Sequence, residues 1–148
     1  MPVIERSVTT SADPQAVWDY LSDFTTTTEW DPGTVRTVRV SGDGGIGTTY
    51  ENTSQFMGRE TRLTYVVVEA SPPTWLQLHG ENDQVSATDT MTFTPVGTGT
   101  RVDYRAELML KGGLRRLDPL LGLPVLGYPF KRLGDHAQRG MERALAGL

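Results

Sequence analysis

The chain has 148 residues and carries 14 Lys or Arg against 18 Asp or Glu, a net charge of −4. This length suits one domain with a sizeable core, spanning 1–148, and a hydrophobic share of 37% excludes a disordered or collagen-like chain. With no Cys, there is no disulfide framework, thiol nucleophile or Cys-ligated metal.

Residue types are unevenly spread. All 20 Thr lie at or before Thr100 and 12 of the 13 Val at or before Val102, whereas 9 of the 15 Leu fall at or after Leu114, so a strand-forming body precedes a helix-forming tail. Charge divides near the same point. Residues 1–110 carry 7 Arg against 15 Asp or Glu, a net of −8, and residues 111–148 carry 7 basic against 3 acidic, a net of +4. An acidic body argues against nucleic acid as a partner, because phosphate binding needs a dense basic surface. The first residues, Met1 to Arg6, lack the basic and apolar regions of a signal peptide, and no stretch has the ~18 apolar residues of a membrane span, so the expectation is a cytoplasmic protein.

In chain order, Val3 to Thr10 reads as a first strand. Asp13-Pro14 then supplies an N-cap and a proline at the first helical position, and Val17, Trp18 and Leu21 share one face of a short helix over 14–22. Phe24 to Trp30 reads as a Thr-rich connection or a weak second helical turn, since four consecutive Thr disfavour a stable helix, and it is closed by the turn signal Asp31-Pro32-Gly33. Six strands follow, over 35–41, 48–57, 59–70, 74–80, 85–95 and 100–110, joined by short turns in the spacing of an antiparallel meander. Alternation places Val85, Ala87, Met91 and Phe93 on one face, with Val102, Tyr104, Ala106, Leu108 and Leu110 on the matching face of the next strand. In 59–70, the run Val66-Val67-Val68 leaves the register unreadable.

Beyond Lys111, the segment 114–130 is rich in Leu, Gly and Pro, with Pro119, Pro124 and Pro129 spaced to break a long helix. From Phe130, the stripe Leu133, Ala137, Met141, Ala144, Leu145 and Leu148 predicts an amphipathic C-terminal helix of nearly five turns. Laying that helix across a twisted sheet leaves a gap between them, which is where a pocket is expected.

The opening strand followed by Ala12-Asp13-Pro14-Gln15-Ala16-Val17-Trp18, then Glu29-Trp30-Asp31-Pro32, Gly45-Ile46-Gly47-Thr48-Thr49-Tyr50, Glu69 through Pro73, and Gly99-Thr100-Arg101-Val102 form an ordered set. Over nearly its whole length the chain resembles the START/Bet v 1-like superfamily, in particular its bacterial SRPBCC or polyketide cyclase/dehydrase branch. The resemblance implies an α+β helix-grip fold, with a seven-stranded curved antiparallel sheet wrapped around a long C-terminal helix and a short helical element after the first strand. It also implies a cavity for an apolar or aromatic small molecule. It does not imply a reaction, because the superfamily contains binders, transfer proteins and cyclases.

Asp89 shares parity with Ala87, Met91 and Phe93, so it points toward the expected cavity, where a carboxylate needs a partner or a raised pKa. Asp89 and Tyr104 are the best catalytic candidates, as a general base and a hydroxyl that orients a ligand. Trp30, Tyr50, Phe56, Met91, Phe93 and Leu108 are candidate lining residues, together with Phe130, Leu133 and Ala137 from the C-terminal helix. For the aromatic residues, plain core packing is the rival reading, and it is preferred for Trp18.

His79 alternates away from Leu76 and Leu78 onto the solvated face, and His136 flanks the buried helical stripe; without carboxylate neighbours they suggest no metal site. Nothing points to a cofactor. The cyclases of the superfamily imply carbonyl-polarising Arg, Tyr and Trp, and Arg59 and Arg62 are the only arginines near a possible pocket strand. Gly42-Asp43-Gly44-Gly45 joins two strands and reads as a hairpin turn rather than a phosphate loop. The apolar segment 114–130 reads either as a lid over the cavity or as a membrane-touching loop flanked by Lys111, Arg115 and Arg116, with the lid preferred.

The leading expectation is a protein that binds a small hydrophobic or aromatic molecule between sheet and helix. Its alternatives are a polyketide cyclase, aromatase or dehydratase using the same cavity, and a lipid-transfer or membrane-associated module.

Overall fold

The computed structural model describes residues 3–56, 58–112 and 124–148. Strand β1 (Val3–Thr10) leads into helix α1 (Pro14–Leu21), a 3-10 turn (Phe24–Thr26) and the one-turn helix α2 (Thr27–Trp30). Strands β2 (Thr34–Ser41), β3 (Thr49–Phe56), β4 (Arg59–Ser71), β5 (Trp75–Glu81), β6 (Val85–Val96) and β7 (Gly99–Leu110) follow, and helix α3 (Pro124–Ala146) ends the chain. The seven strands form one antiparallel sheet in the order β1-β7-β6-β5-β4-β3-β2, curved around α3 as the helix-grip fold requires.

Local chemistry explains the helical insert after β1. Asp13 caps α1 by accepting from the Ala16 amide at 2.9 Å, with Pro14 at the first helical position. The Thr run that disfavours helix nevertheless forms helical turns, because its hydroxyls bond back to the chain: Thr26 to the Asp23 carbonyl at 2.8 Å, Thr27 to that of Phe24 at 2.8 Å and Thr28 to that of Thr25 at 3.0 Å. Thr27 also meets Thr37 at 2.7 Å, and Thr37 accepts from Asn52 at 2.8 Å, so a buried polar network ties α2 to β2 and β3.

The unreadable register in β4 has a physical cause. Its pairing with β5 shifts between Val67 and Glu69, so Val67 faces inward against Leu78, Ala70 faces inward against Leu76, and Val68 is the extra residue between them. The run of three valines therefore ends in a bulge at Val68, which breaks strict alternation.

The C-terminal helix begins at Pro124, one and a half turns before the expected start at Phe130. Pro124 occupies the first helical position, where its missing N–H costs nothing, so only Pro129 interrupts the ladder. The lid and membrane-loop readings of 114–130, and the pocket roles expected for Phe56 and Phe130, fall on residues or side chains outside those described. No helix among the described residues is long and apolar enough to cross a membrane.

Helix α3 lies along β1 and α2. Arg6 reaches it with an ion pair to Asp135 at 2.9 Å and a bond to the Lys131 carbonyl at 3.1 Å, while Gln138 donates to the Ser7 carbonyl at 3.0 Å. Beneath these clamps Ala137, Met141 and Leu145 are buried in the core with Val8, Trp18, Phe93 and Val102. At Gly140 the fit is closest: a Cβ there would stand 1.9 Å from the Trp30 carbonyl oxygen. Substituting Gly140→Ala forces α3 and α2 apart. Although alanine favours helix by about 1 kcal/mol, the clash outweighs that gain, and urea unfolding is expected to show a net loss of roughly 1–3 kcal/mol. The exposed Gly147→Ala, whose Cβ meets nothing closer than 3.6 Å, serves as the unperturbed control.

Candidate functional site

On the inward face of the sheet, a polar group interrupts an apolar surface. Asp89 sits in β6 between Ala87 and Met91, opposite Leu78 on one side and Ala106 on the other, and is only 6% exposed. Tyr104 lies diagonally across on β7, within reach of a long side chain, and its hydroxyl donates to Asp89 Oδ2 at 3.2 Å. The two catalytic candidates are thus direct partners.

Two more elements complete the cluster. Trp30, at the end of α2, is 1% exposed, and its ring meets that of Tyr104 edge-on, with centroids 5.8 Å apart and planes at 80°. Its indole N–H is buried without a hydrogen-bond partner among the described residues. The adjacent Asp31 accepts from the Gly33 amide at 3.0 Å and from the Thr34 hydroxyl at 3.1 Å, so the turn that ends α2 also brings in a second carboxylate. From β4, Tyr65 leans over β5, where its register partner is Gly80: a Cβ on Gly80 would lie 2.6 Å from the Tyr65 ring. Only glycine leaves room for this ring.

Burial governs the electrostatics. It pushes the Asp89 carboxyl up to about 7, against the opposing pull of the Tyr104 hydrogen bond, with the Asp31 charge adding to the rise. Burial likewise raises Asp31, while the Gly33 and Thr34 bonds oppose it. Tyr65 and Tyr104 are held well above the ordinary phenol value, first by burial and then by the Asp89 and Asp31 carboxylates. Among the described residues, no basic side chain bonds either carboxylate; the ion pairs involve Arg6, His79, Arg101, Arg105 and Lys111 with other acids. Nor does any cluster there fit a metal ion.

Other expected lining residues take different places. Met91 is fully buried beside Asp89, and Leu108 is part-buried against the core. Phe93 packs edge-on against Trp18 at 5.4 Å, within the α1 contact. Tyr50 belongs to an aromatic stack, 5.9 Å from Phe24, which in turn lies 5.0 Å from Tyr65. On α3, Ala137 is buried and Leu133 part-buried, with the Leu133 Cδ1 3.0 Å from where a Cβ on Gly33 would stand.

Arg59 and Arg62 are both exposed, and Arg62 is in register with Thr53 and Arg36 along the outer face. Neither is placed to polarise a group beside Asp89. His79 lies on that outer face too, 3.3 Å from the Thr88 hydroxyl, and His136 is part-buried on α3. Sequence reasoning missed Asp31, which looks like a turn residue, and Tyr65, which is hidden by the bulged register. The signal for Tyr65 was Gly80, a glycine inside a strand pattern.

No curated protein matches the chain by sequence. Solved structures share its fold at low identity. A protein of Thermus thermophilus superposes with a TM-score of 0.80 at 18% identity, covering 99% of this chain and 98% of that one. The ZhuI aromatase/cyclase of a Streptomyces species gives 0.74 at 12%, covering 99% and 92%. A START superfamily protein of Mycobacterium smegmatis gives 0.74 at 14%, covering 98% and 97%. Residues 1–146 match the family model described as polyketide cyclase / dehydrase and lipid transport, and the chain belongs to that family.

Proposed function

We propose that the protein binds a small apolar or aromatic molecule between the sheet and α3, with the molecule's polar end held by Asp89, Tyr104 and Trp30. The observation that carries this reading is the burial of Asp89 in an otherwise apolar row with one hydrogen bond among the described residues. A carboxylate so placed lowers stability, and a ligand-facing role accounts for its presence. The Trp30 indole beside it adds a buried donor that has no acceptor among the described residues. Apolar surface around these groups supplies affinity at ~25 cal/mol per Å² buried, and the polar groups set orientation.

A second reading, a cyclase- or dehydratase-like enzyme, draws on the Asp89 carboxyl being held at about 7, where it both accepts and releases a proton near neutral pH. The ZhuI aromatase/cyclase shares the fold, which is compatible with this reading but assigns no reaction. Under it, Asp89→Asn leaves ligand binding intact and abolishes turnover.

Three measurements test these assignments. Nile red is expected to gain fluorescence on binding, and Ala137→Trp or Leu108→Trp, each filling the space beside the core, to weaken it about tenfold or more. Unchanged binding in both folded variants overturns the site.

The second measurement is stability against pH. The native state keeps the Asp89 proton up to about pH 7, whereas the unfolded chain releases it near the ordinary 3.8. Its contribution to stability is therefore complete at low pH and is lost as pH rises through that window. Asp89→Asn should stabilise the protein by up to a few kcal/mol at about pH 8, with the gain vanishing toward about pH 3.

Third, Tyr104→Phe removes the hydrogen bond that pulls Asp89 down, so a carbon-13 carboxyl titration should find its midpoint above that of the wild type.

A further inference from the structure

The polar end of the site has a chemical bias. Asp89 is a buried carboxylate whose four acceptor positions hold one bond among the described residues, and Asp31, which shares its electrostatic field, has two bonds that serve its own turn. Neither has a basic partner among the described residues. The neighbouring side chains are the aromatic groups of Trp30, Tyr65 and Tyr104, none of which carries a positive charge. Separately, the Trp30 indole N–H is buried with no hydrogen-bond acceptor among the described residues, a spare donor beside the same cluster. An anionic ligand would meet two carboxylates, with Arg62 on the outer face and Arg59 exposed at the first residue of β4, and a neutral one would leave ionised Asp89 without a counter-charge.

Resting on the small-molecule reading above, we propose that the site selects an apolar molecule bearing a protonated amine, which pairs with Asp89, and an acceptor oxygen, which receives the Trp30 indole N–H. The groups facing Asp89 agree with this. Among the described residues they are Tyr104 from β7, Tyr65 from β4 and Asp31 after α2, none of them cationic, and the buried or part-buried positions Leu133, Ala137 and Met141 of α3 are uncharged. The net charge of −8 over residues 1–110 further raises the local concentration of cations.

Calorimetric titration with three probes of one shape decides the matter: a methoxynaphthylmethylamine, the corresponding alcohol and the corresponding carboxylate. At about pH 8 the amine is expected to bind at least tenfold more tightly than the alcohol, and the carboxylate more weakly than either. Lowering the pH to about 6 protonates Asp89 and should cut amine affinity about tenfold while leaving the alcohol unchanged. Asp89→Asn should erase the amine preference and retain alcohol binding. Trp30→Phe should weaken the methoxy amine roughly fivefold more than the unsubstituted naphthylmethylamine.

Equal binding of alcohol and amine at about pH 8, tighter binding of the carboxylate, or a preference that survives Asp89→Asn overturns the proposal. Nile red binding without an amine preference overturns this inference alone. If Nile red and all three probes fail to bind, the small-molecule reading beneath it falls as well.

Discussion

The close contact between Gly140 and the Trp30 carbonyl sets the rest of the site. Helix α3 approaches α2 so nearly that no Cβ fits between them, and this fixes where the end of α2 stands above the sheet. From that fixed end, the Trp30 ring meets Tyr104 and the next residue, Asp31, turns the chain into β2. The polar clamps from Arg6 and Gln138 hold α3 along β1, and the Thr27-Thr37-Asn52 network holds α2 to β2 and β3. Loops and a one-turn helix are ordinarily the mobile parts of a fold. Here they are braced from both sides, which is what a site needs if its donors are to keep their geometry.

Within that frame, the stabilising and destabilising groups are separated in space. The paired charges Arg105 with Glu107, Arg101 with Asp103, and Lys111 with Glu81 are substantially exposed, where each ion pair contributes little. The interior around Met91, Leu76, Leu78 and Val102 supplies apolar burial. Asp89 stands against both trends, a titratable group in a central strand with a phenol as its partner. Replacing it with a residue that needs no proton would help the fold and remove a carboxyl held at about 7.

The sequence exposed the sheet more fully than the site. Strict alternation through Ala87, Met91 and Phe93, and through Val102 and Tyr104, made the inward positions of β6 and β7 legible, and with them Asp89 and Tyr104. Alternation fails where the backbone departs from regular pairing. The bulge after Val67 concealed Tyr65, and the Asp31-Pro32-Gly33 turn concealed a carboxylate whose local bonds look entirely structural. The Thr run before Trp30 was legible only as a weak helical turn, since propensity counts Thr as a poor helix former and takes no account of the hydroxyl bonds back to the chain. At the C-terminus, proline read as a helix breaker where Pro124 in fact starts the helix.

Fold and site obey different constraints. Backbone likeness persists at 12 to 18% identity because the sheet needs only inward apolar volume, turns that close and a helix with a small-residue seat. None of these requirements specifies which inward position carries an acid or a phenol. The family frame therefore fixes the sheet and the helix that it grips, and the side chains at β4, β6, β7 and the end of α2 fix the chemistry of the inward face. In this chain those positions present acids, phenols and an indole, while Arg59 and Arg62 are exposed elsewhere. A polyketide chain presents carbonyl oxygens, which need donors. Trp30 and the two tyrosines can donate, whereas ionised Asp89 only accepts, so under the proposed reading a ligand that pairs with it brings a donor of its own.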